Sequence, residues 1–459
     1  MSGWGSWLGG ADAEADAKPN FRAVTDRPQD ELYGQLEPAD LEWACAGGFA
    51  TETQVWYTVL EDGALASSQI IHSSIGLWYP QIQITFKYFN PKTGQKVWKS
   101  TAVTHFVTPP GQGVGRDKSK SYDKRSCKAD QFTVLFDEHP DGSESYTIDA
   151  NMDTDLQLSY TYTRPASCPG WKLGSGPEGS KSYFGTNTAS PDGYVLHKFW
   201  PRVTTSGHII YKGQAIDAKG TGVFIRAIQG MRPNLVASRW NFANFQSIGH
   251  GDESQKTAAI MMEFTTTSDY GGPLGSKKDK DEQGNQVNKR ETMTVNIGSV
   301  IVGDELVAVT GSTRKGNDEG SSSSVKHLNT TFDPDTGYQA PGGLEFAWSG
   351  PLLEGTGGAL KPVNGTSDVV NAKLTVDLGK PHPASESKGL VEKVDVLGEI
   401  PYMVRKVVNY VAGTKPYVYQ NLNPATLSVQ LPESYKGEGS KSFESKGTVF
   451  TEATFISEP

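Results

Sequence analysis

Apolar and polar residues alternate along long stretches of this chain, and the apolar half is unusually aromatic. In residues 81–88, Ile82, Ile84, Phe86 and Tyr88 share one face and Gln81, Gln83, Thr85 and Lys87 the other. In 156–163, Leu156, Leu158, Tyr160 and Tyr162 oppose Gln157, Ser159, Thr161 and Thr163. Side chains along a strand point to opposite faces with a period of two, so each segment has one dry and one wet face. Many such strands close into barrels or sandwiches. An aromatic, aliphatic interior predicts a container for an apolar ligand.

Strand patterns are dense from Leu41 to about residue 229, beginning with 42–49, 54–60 and 65–75. They are separated by turn signals at 61–63 (EDG), 90–94 (NPKTG) and 139–142 (HPDG). The string MRPN (231–234) interrupts, and RWNFANFQS opens a second run with clear alternation at Met293, Val295 and Ile297 and at Leu427, Val429 and Leu431. EWACAGGF around Trp43 and RWNFANFQ around Trp240 start the two halves alike. The reading is all-β, with two similar barrels in tandem: a lead-in over 18–40, a first barrel over 41–230 and a second over 231–459. One helix is expected at 400–412, with Pro401 in its first turn, Gly413 at its end and an apolar stripe of Met403, Val404, Val407, Val408 and Val411. The polar stretches 109–128, 276–290 and 315–324 read as solvated tips.

The first seventeen residues differ in kind. At about 100° per residue, Met1, Trp4, Trp7, Leu8 and Ala11 fall within an arc of roughly 120°. Indole rings on one face suit the boundary between lipid headgroups and acyl chains. Gly3, Gly5, Gly9 and Gly10 disfavour a helix in water. Met1, Trp4, Trp7 and Leu8 are therefore expected to fold against a membrane surface, as a helix formed only there.

Composition narrows the function classes. A formal charge of −9 leaves no global footprint for nucleic acid. The cysteines, Cys45, Cys127 and Cys168, form no paired motif and read as reduced thiols. No basic start followed by an apolar run marks a secretory signal, and no 18-residue apolar stretch marks a membrane span, so a cytoplasmic protein is expected.

Little in the sequence points to catalysis. Gly174, Gly176 and Gly179 spell a G-x-G-x-x-G, but Pro177 lies inside it and no amphipathic helix follows. DPDTG (333–337) has no glutamate at the twelfth position of a calcium loop and reads as a turn. No histidine pair has helical metal-ligand spacing, so neither metal nor cofactor is expected. His72 and His105 lie in strand patterns with the option of facing a cavity. The candidate lipid contacts are these two with Trp56, Trp78, Phe86, Tyr88, Trp98, Trp200, Trp240 and Phe242. Most such rings are expected to be core, because a small barrel fills its own interior. Arg116, Lys118, Lys120, Lys124, Arg125 and Lys128 form a basic loop, diluted by Asp117 and Asp123, that would also suit anionic lipid.

Four strings carry a family resemblance: EPADLEWACAGGFATETQVWY (37–57), RWNFANFQS (239–247), IMMEFTTTSDYG (260–271) and VLGEIPYMVRKVVNYVAGTKPYVYQ (396–420). They resemble the fungal oxidative-stress survival factor family, from about residue 20 to the end. The resemblance implies tandem lipocalin-like (double-calycin) barrels and a peripheral, N-terminally attached carrier of ceramide from the endoplasmic reticulum to the early Golgi. It implies a role in survival under oxidative stress. The competing reading is an enzyme, since double-calycin folds also host hydratases, isomerases and cyclases of isoprenoids or polyenes.

Overall fold

The computed structural model describes residues 18–75, 79–108, 123–247, 256–280, 286–316, 322–355, 360–363, 368–399, 416–437 and 439–456. Nearly all of its regular structure is antiparallel strand. The first long sheet contains β1 (Phe49–Leu60), β2 (Leu65–Ile75), β3 (Gln81–Phe89), β4 (Lys96–Ala102), β5 (Phe132–Glu138), β6 (Glu144–Asp153), β7 (Leu156–Arg164), β8 (Gly193–Tyr211) and β9 (Gly220–Gln229). The second contains β10 (Arg239–Ser247), β11 (Thr257–Thr265), β12 (Met293–Val302), β13 (Glu305–Lys315), β14 (Ser324–Leu328), β15 (Gly343–Pro351), β16 (Val369–Asp377), β17 (Tyr417–Leu431) and β18 (Lys441–Phe455).

The strand order is β4-β3-β2-β1-β9-β8-β7-β6-β5 in the first sheet and β13-β12-β11-β10-β18-β17-β16-β15-β14 in the second. The two orders correspond strand for strand. Each sheet curls until one edge strand reaches the opposite side of the sheet. Thr101 Oγ1 of β4 donates to the Met152 carbonyl of β6 at 3.1 Å, and Ser312 Oγ of β13 donates to the Ser323 carbonyl beside β14 at 2.8 Å. The fold is thus two tandem, lipocalin-like antiparallel barrels, as the alternation predicts.

The alternation divides the core into three layers. Inward residues of the first sheet, including Trp56, Phe86, Tyr146, Tyr162, Trp200 and Phe224, form one cluster. Phe245, Met261, Val300, Phe346, Trp348 and Leu427 form the equivalent cluster in the second. A third lies between the barrels, where Val55, Phe199, Val223 and Ile225 meet Phe242, Ile260, Phe264, Val295 and Phe450. Strands facing this junction are buried on both sides, so β8 and β9 carry near-continuous runs of buried positions that include His197, Lys198, Arg202 and Arg226.

Three expectations change. Residues 42–49 are not a strand: Leu41–Gly48 form an irregular strap, with Cys45 at φ 44°, and β1 begins at Phe49. EWACAGGF and RWNFANFQ are therefore not equivalent, since the first is strap and the second is β10. The lead-in is not a polar tail either, because Phe21, Ala23, Val24 and Leu32 are buried in the layer between the barrels. Phe21 meets Phe264 edge-on at 6.2 Å. The charged 276–290 stretch, by contrast, is a hairpin tip as expected, pairing Leu274–Lys280 with Gln286–Arg290. The helix expected at 400–412 lies outside the described residues, as do Met1, Trp4, Trp7, Leu8 and Trp78.

Candidate functional site

The first barrel is filled by its own rings. Trp56 lies 5.6 Å from Tyr146 and 5.1 Å from Phe224, and Tyr146 lies 4.9 Å from Trp200, measured between ring centroids. These are the offset and edge contacts of a packed aromatic core. Of the candidate lipid contacts, Trp56, Phe86, Tyr88 and Trp200 belong to this core. The Nε1 atoms of Trp56 and Trp200 and the Tyr146 hydroxyl are buried without a partner among the described residues.

One end of this barrel is sealed. Glu52, on the inward face of β1, accepts from the Ala44 amide at 3.0 Å and the Cys45 amide at 2.8 Å, drawing the strap across the opening. Arg226 of β9 donates Nε to the same carboxylate at 3.0 Å and Nη1 to the Asp40 carbonyl at 2.9 Å. Asp40 in turn holds Lys172 and Lys198, each at 2.7 Å. Burial brings the Lys198 ammonium down to about 8, although Asp40 opposes the shift. Trp43 of the strap packs edge-on against Phe106 at 5.4 Å. His72 is buried behind this seal, where burial lowers its pKa and disfavours the charged form. The carboxylate that captures two strap amides is the reason residues 42–49 do not extend into a strand.

The other candidates separate. His105 does not face a cavity: its side chain is 84% exposed and its Nδ1 lies 2.6 Å from Asp130. Trp98 is on the outer wall, because register places it opposite Lys87, whose ammonium sits 4.6 Å from the Trp98 ring. Trp240 and Phe242 line the junction, Trp240 at 5.6 Å from His197 and Phe242 at 5.5 Å from Tyr57. The basic loop also loses a member as a lipid-facing charge, since Arg125 is buried and bonded to Asp123 and Glu138.

The corresponding end of the second barrel is built differently. Inward positions that are apolar deeper in the barrel become polar toward this end: Asn241 and Arg239 after Ala243 and Phe245, Glu263 and Thr265 after Met261, Asn296 and Thr294 before Val300. With Arg314, Lys326 and His327, these polar residues apart from the fully buried Asn296 line a chamber of about 250 Å³. Its floor is a charge-balanced network. Arg314 grips Glu263 through both terminal nitrogens, each at 2.7 Å, while Asn296 Nδ2 and the Val325 amide donate to Glu263 at 3.0 and 3.1 Å. A buried carboxylate is tolerated only when paired and hydrogen-bonded in this way. Below the floor lies the apolar core.

The chamber walls offer neutral hydrogen-bonding groups. Burial and the nearby Arg239 charge bring His327 down to about 4, so its imidazole is neutral near pH 7. Its Nε2–H then donates to Asn241 Oδ1 at 2.7 Å, which leaves Nδ1 as an acceptor and the Asn241 amide nitrogen as a donor. Thr265 and Thr294 hydroxyls meet at 2.9 Å on the opposite wall. Asn296 Oδ1 is buried without a partner among the described residues. Beside the chamber, His327 lies 5.9 Å from Phe455, which belongs to a small buried cluster, stacked on Tyr338 at 4.9 Å and edge-on to Tyr419 at 5.9 Å. No motif marks these residues in the sequence. The available signal was the switch from apolar to polar at every second position, legible only once the register is known.

Among the described residues, Asp333, Asp335 and His382 offer ligand atoms within 4.8 Å of one another. The Lys393 ammonium already occupies this cluster, 2.8 Å from Asp333 and 3.0 Å from Asp335. The DPDTG string is the turn that was expected, closed by the Gly337 amide on the Asp333 carbonyl at 2.8 Å.

Comparison with known proteins places this architecture. The chain is 29% identical over 453 residues to a protein of Aspergillus fumigatus named ceramide-binding protein svf1, covering 95% of this chain and 94% of that one. It is 27% identical to the Schizosaccharomyces pombe protein of the same name, covering 93% and 90%. Among solved structures it is similar to CghA, with TM-score 0.49, 9% identity and coverage of 90% and 89%. It is also similar to kievitone hydratase from Nectria haematococca, with TM-score 0.43, 11% identity and coverage of 96% and 98%. Likenesses that loose transfer no chemistry. The model of the Svf1 family matches residues 6–457, and the chain belongs to that family.

Proposed function

We propose that this protein binds ceramide and carries it between membranes, without transforming it. The observation that carries the reading is the alignment of nearly the whole chain with relatives named for ceramide binding. The chamber supports it chemically. A ceramide presents an amide and two hydroxyls and no charge. The neutral His327, Asn241, Thr265 and Thr294 are suited to such a group; Arg314 is spent on Glu263, and the charged Arg239 and Lys326 also line the chamber. A chamber of about 250 Å³ is the size of a headgroup, so the two chains lie outside it.

Energetics dictate the mode of transfer. Two long chains gain on the order of 20 kcal/mol on leaving water, at about 0.8 kcal/mol per methylene. A bilayer offers nearly the same gain, so a carrier needs only a comparable environment and a way to stay in contact with the membrane. The route we propose runs in the cytoplasm from the endoplasmic reticulum to the cis-Golgi, with peripheral attachment through residues 1–17, in support of sphingolipid synthesis and survival under oxidative stress. Mass spectrometry of lipid extracted from the purified protein tests the reading. Stoichiometric ceramide is expected. Absence of lipid, or turnover of an isoprenoid or polyene, contradicts it.

A further inference from the structure

Five large apolar side chains are conspicuously exposed among the described residues: Phe49 37%, Tyr79 66%, Trp98 37%, Val107 39% and Phe332 60%. Four of them share one end of the molecule. Phe49 opens β1 and pairs with Ile75 at the end of β2, so Tyr79, in the turn between β2 and β3, is at that same end. Val107 follows β4 and bridges to Lys128 there. Phe332 follows β14, five residues beyond His327 at the chamber wall.

The two barrels point these ends the same way. His197 of β8 meets Trp240 of β10 at 5.6 Å, and further along Arg202 Nη1 donates to Gln246 at 3.1 Å, so β8 and β10 run side by side in one direction. Both β8 and β1 are antiparallel to β9, through Lys198, Arg226 and Gln54. The start of β1 and the start of β10 therefore face one side. The sealed end of the first barrel and the chamber mouth of the second are on a common face, rimmed by Phe49, Tyr79, Val107 and Phe332.

We infer that this rim is a membrane-docking face that sets the chamber mouth against an uncharged bilayer surface. The four side chains sit apart, on separate loops and strand ends of two barrels, a spacing that suits a soft interface better than a contiguous protein patch. Tyr79 has an apolar body and a polar tip, and the Arg232 guanidinium lies 4.5 Å above the Phe49 ring, an arrangement that keeps charge at headgroup level over a buried ring. Electrostatics do not drive the contact: the chain carries −9 overall. The inference is separate from any attachment through residues 1–17, and rests on the carrier reading only for the purpose of the orientation.

The test uses the full chain with one added cysteine, Tyr79→Cys, Phe332→Cys or, on the side wall, Trp98→Cys, each labelled with a polarity-sensitive dye. The parent chain sets the background from Cys45. With phosphatidylcholine vesicles, dyes at 79 and 332 are expected to shift to the blue and the dye at 98 to stay put, equally at low and high salt. The inference is overturned if 79 and 332 do not respond, if 98 responds as strongly, if shifts require anionic lipid, or if they appear without vesicles through self-association. The double variant Tyr79→Ser/Phe332→Ser is expected to slow ceramide transfer between vesicles on the order of tenfold, while ceramide still copurifies. Loss of copurifying ceramide from the parent chain instead refutes the carrier reading and leaves the dye result to judge the docking face.

Discussion

The two barrels share a strand order and differ in how one end is finished. In the first, Glu52 and Arg226 are buried at 1% and 3% and pull the Leu41–Gly48 strap across the opening. In the second, Glu263 and Arg314 make a similar inward pair, and a chamber lies beside it. The same device, a paired buried carboxylate, serves as a lock in one barrel and as a floor in the other. A duplicated fold can therefore finish its two copies differently by changing a few inward positions near the strand ends.

The comparison breaks most visibly at the lock. Glu52→Ala leaves the Arg226 charge buried without a partner, and a loss of about 3–5 kcal/mol is expected in urea unfolding. Trp56→Ala removes the ring at the centre of the first core and is expected to cost about 3–5 kcal/mol as well. In both variants the folded fraction should keep its lipid stoichiometry, which distinguishes stability from binding. A chamber change should do the reverse. Asn241→Leu removes both the amide donor and the partner of His327, and ceramide affinity is expected to fall on the order of tenfold, about 1.4 kcal/mol. Its unfolding midpoint should move little.

A smaller effect concerns pH at the junction. Burial holds His197 at about 3, so the folded protein binds this proton only in strong acid, whereas the unfolded chain takes it up near 6.5. The stability tied to a neutral His197 is fully present above pH 6.5 and is lost as pH falls toward 3, at up to about 1.4 kcal/mol per pH unit. His197→Gln should flatten this part of the pH–stability profile without altering ceramide binding. The least effect is expected from Lys373→Ala on the outer wall of the second barrel, whose partner Glu345 leaves it 58% exposed. Such pairs contribute about 0–1 kcal/mol.

Much of the fold was legible in the sequence because alternation is a local signal. Ile82, Ile84, Phe86 and Tyr88 announce their face without reference to the rest of the chain. The strap was not legible: Leu41–Gly48 carries strand-like residues, and only Glu52, captured across space, bends it away. The lead-in was misread for a related reason, since Phe21, Val24 and Leu32 find their burial against residues from both barrels, hundreds of positions apart. His105 illustrates the same limit, an exposed partner of Asp130 that looked from its neighbours like a strand residue facing inward. Asn241, Glu263, Thr294 and His327 converge only when four strands are set in register, so their individual polarity carried no message.

We propose that the chamber end of the second barrel, and not the aromatic interior of the first, receives the ceramide headgroup. Cross-linking with a ceramide that bears a photoreactive group near its amide, followed by peptide mapping, addresses it directly. Adducts are expected on β10, β11 and β14, around Asn241, Thr265 and His327. Adducts concentrated around Trp56, Tyr146 and Trp200 would contradict it.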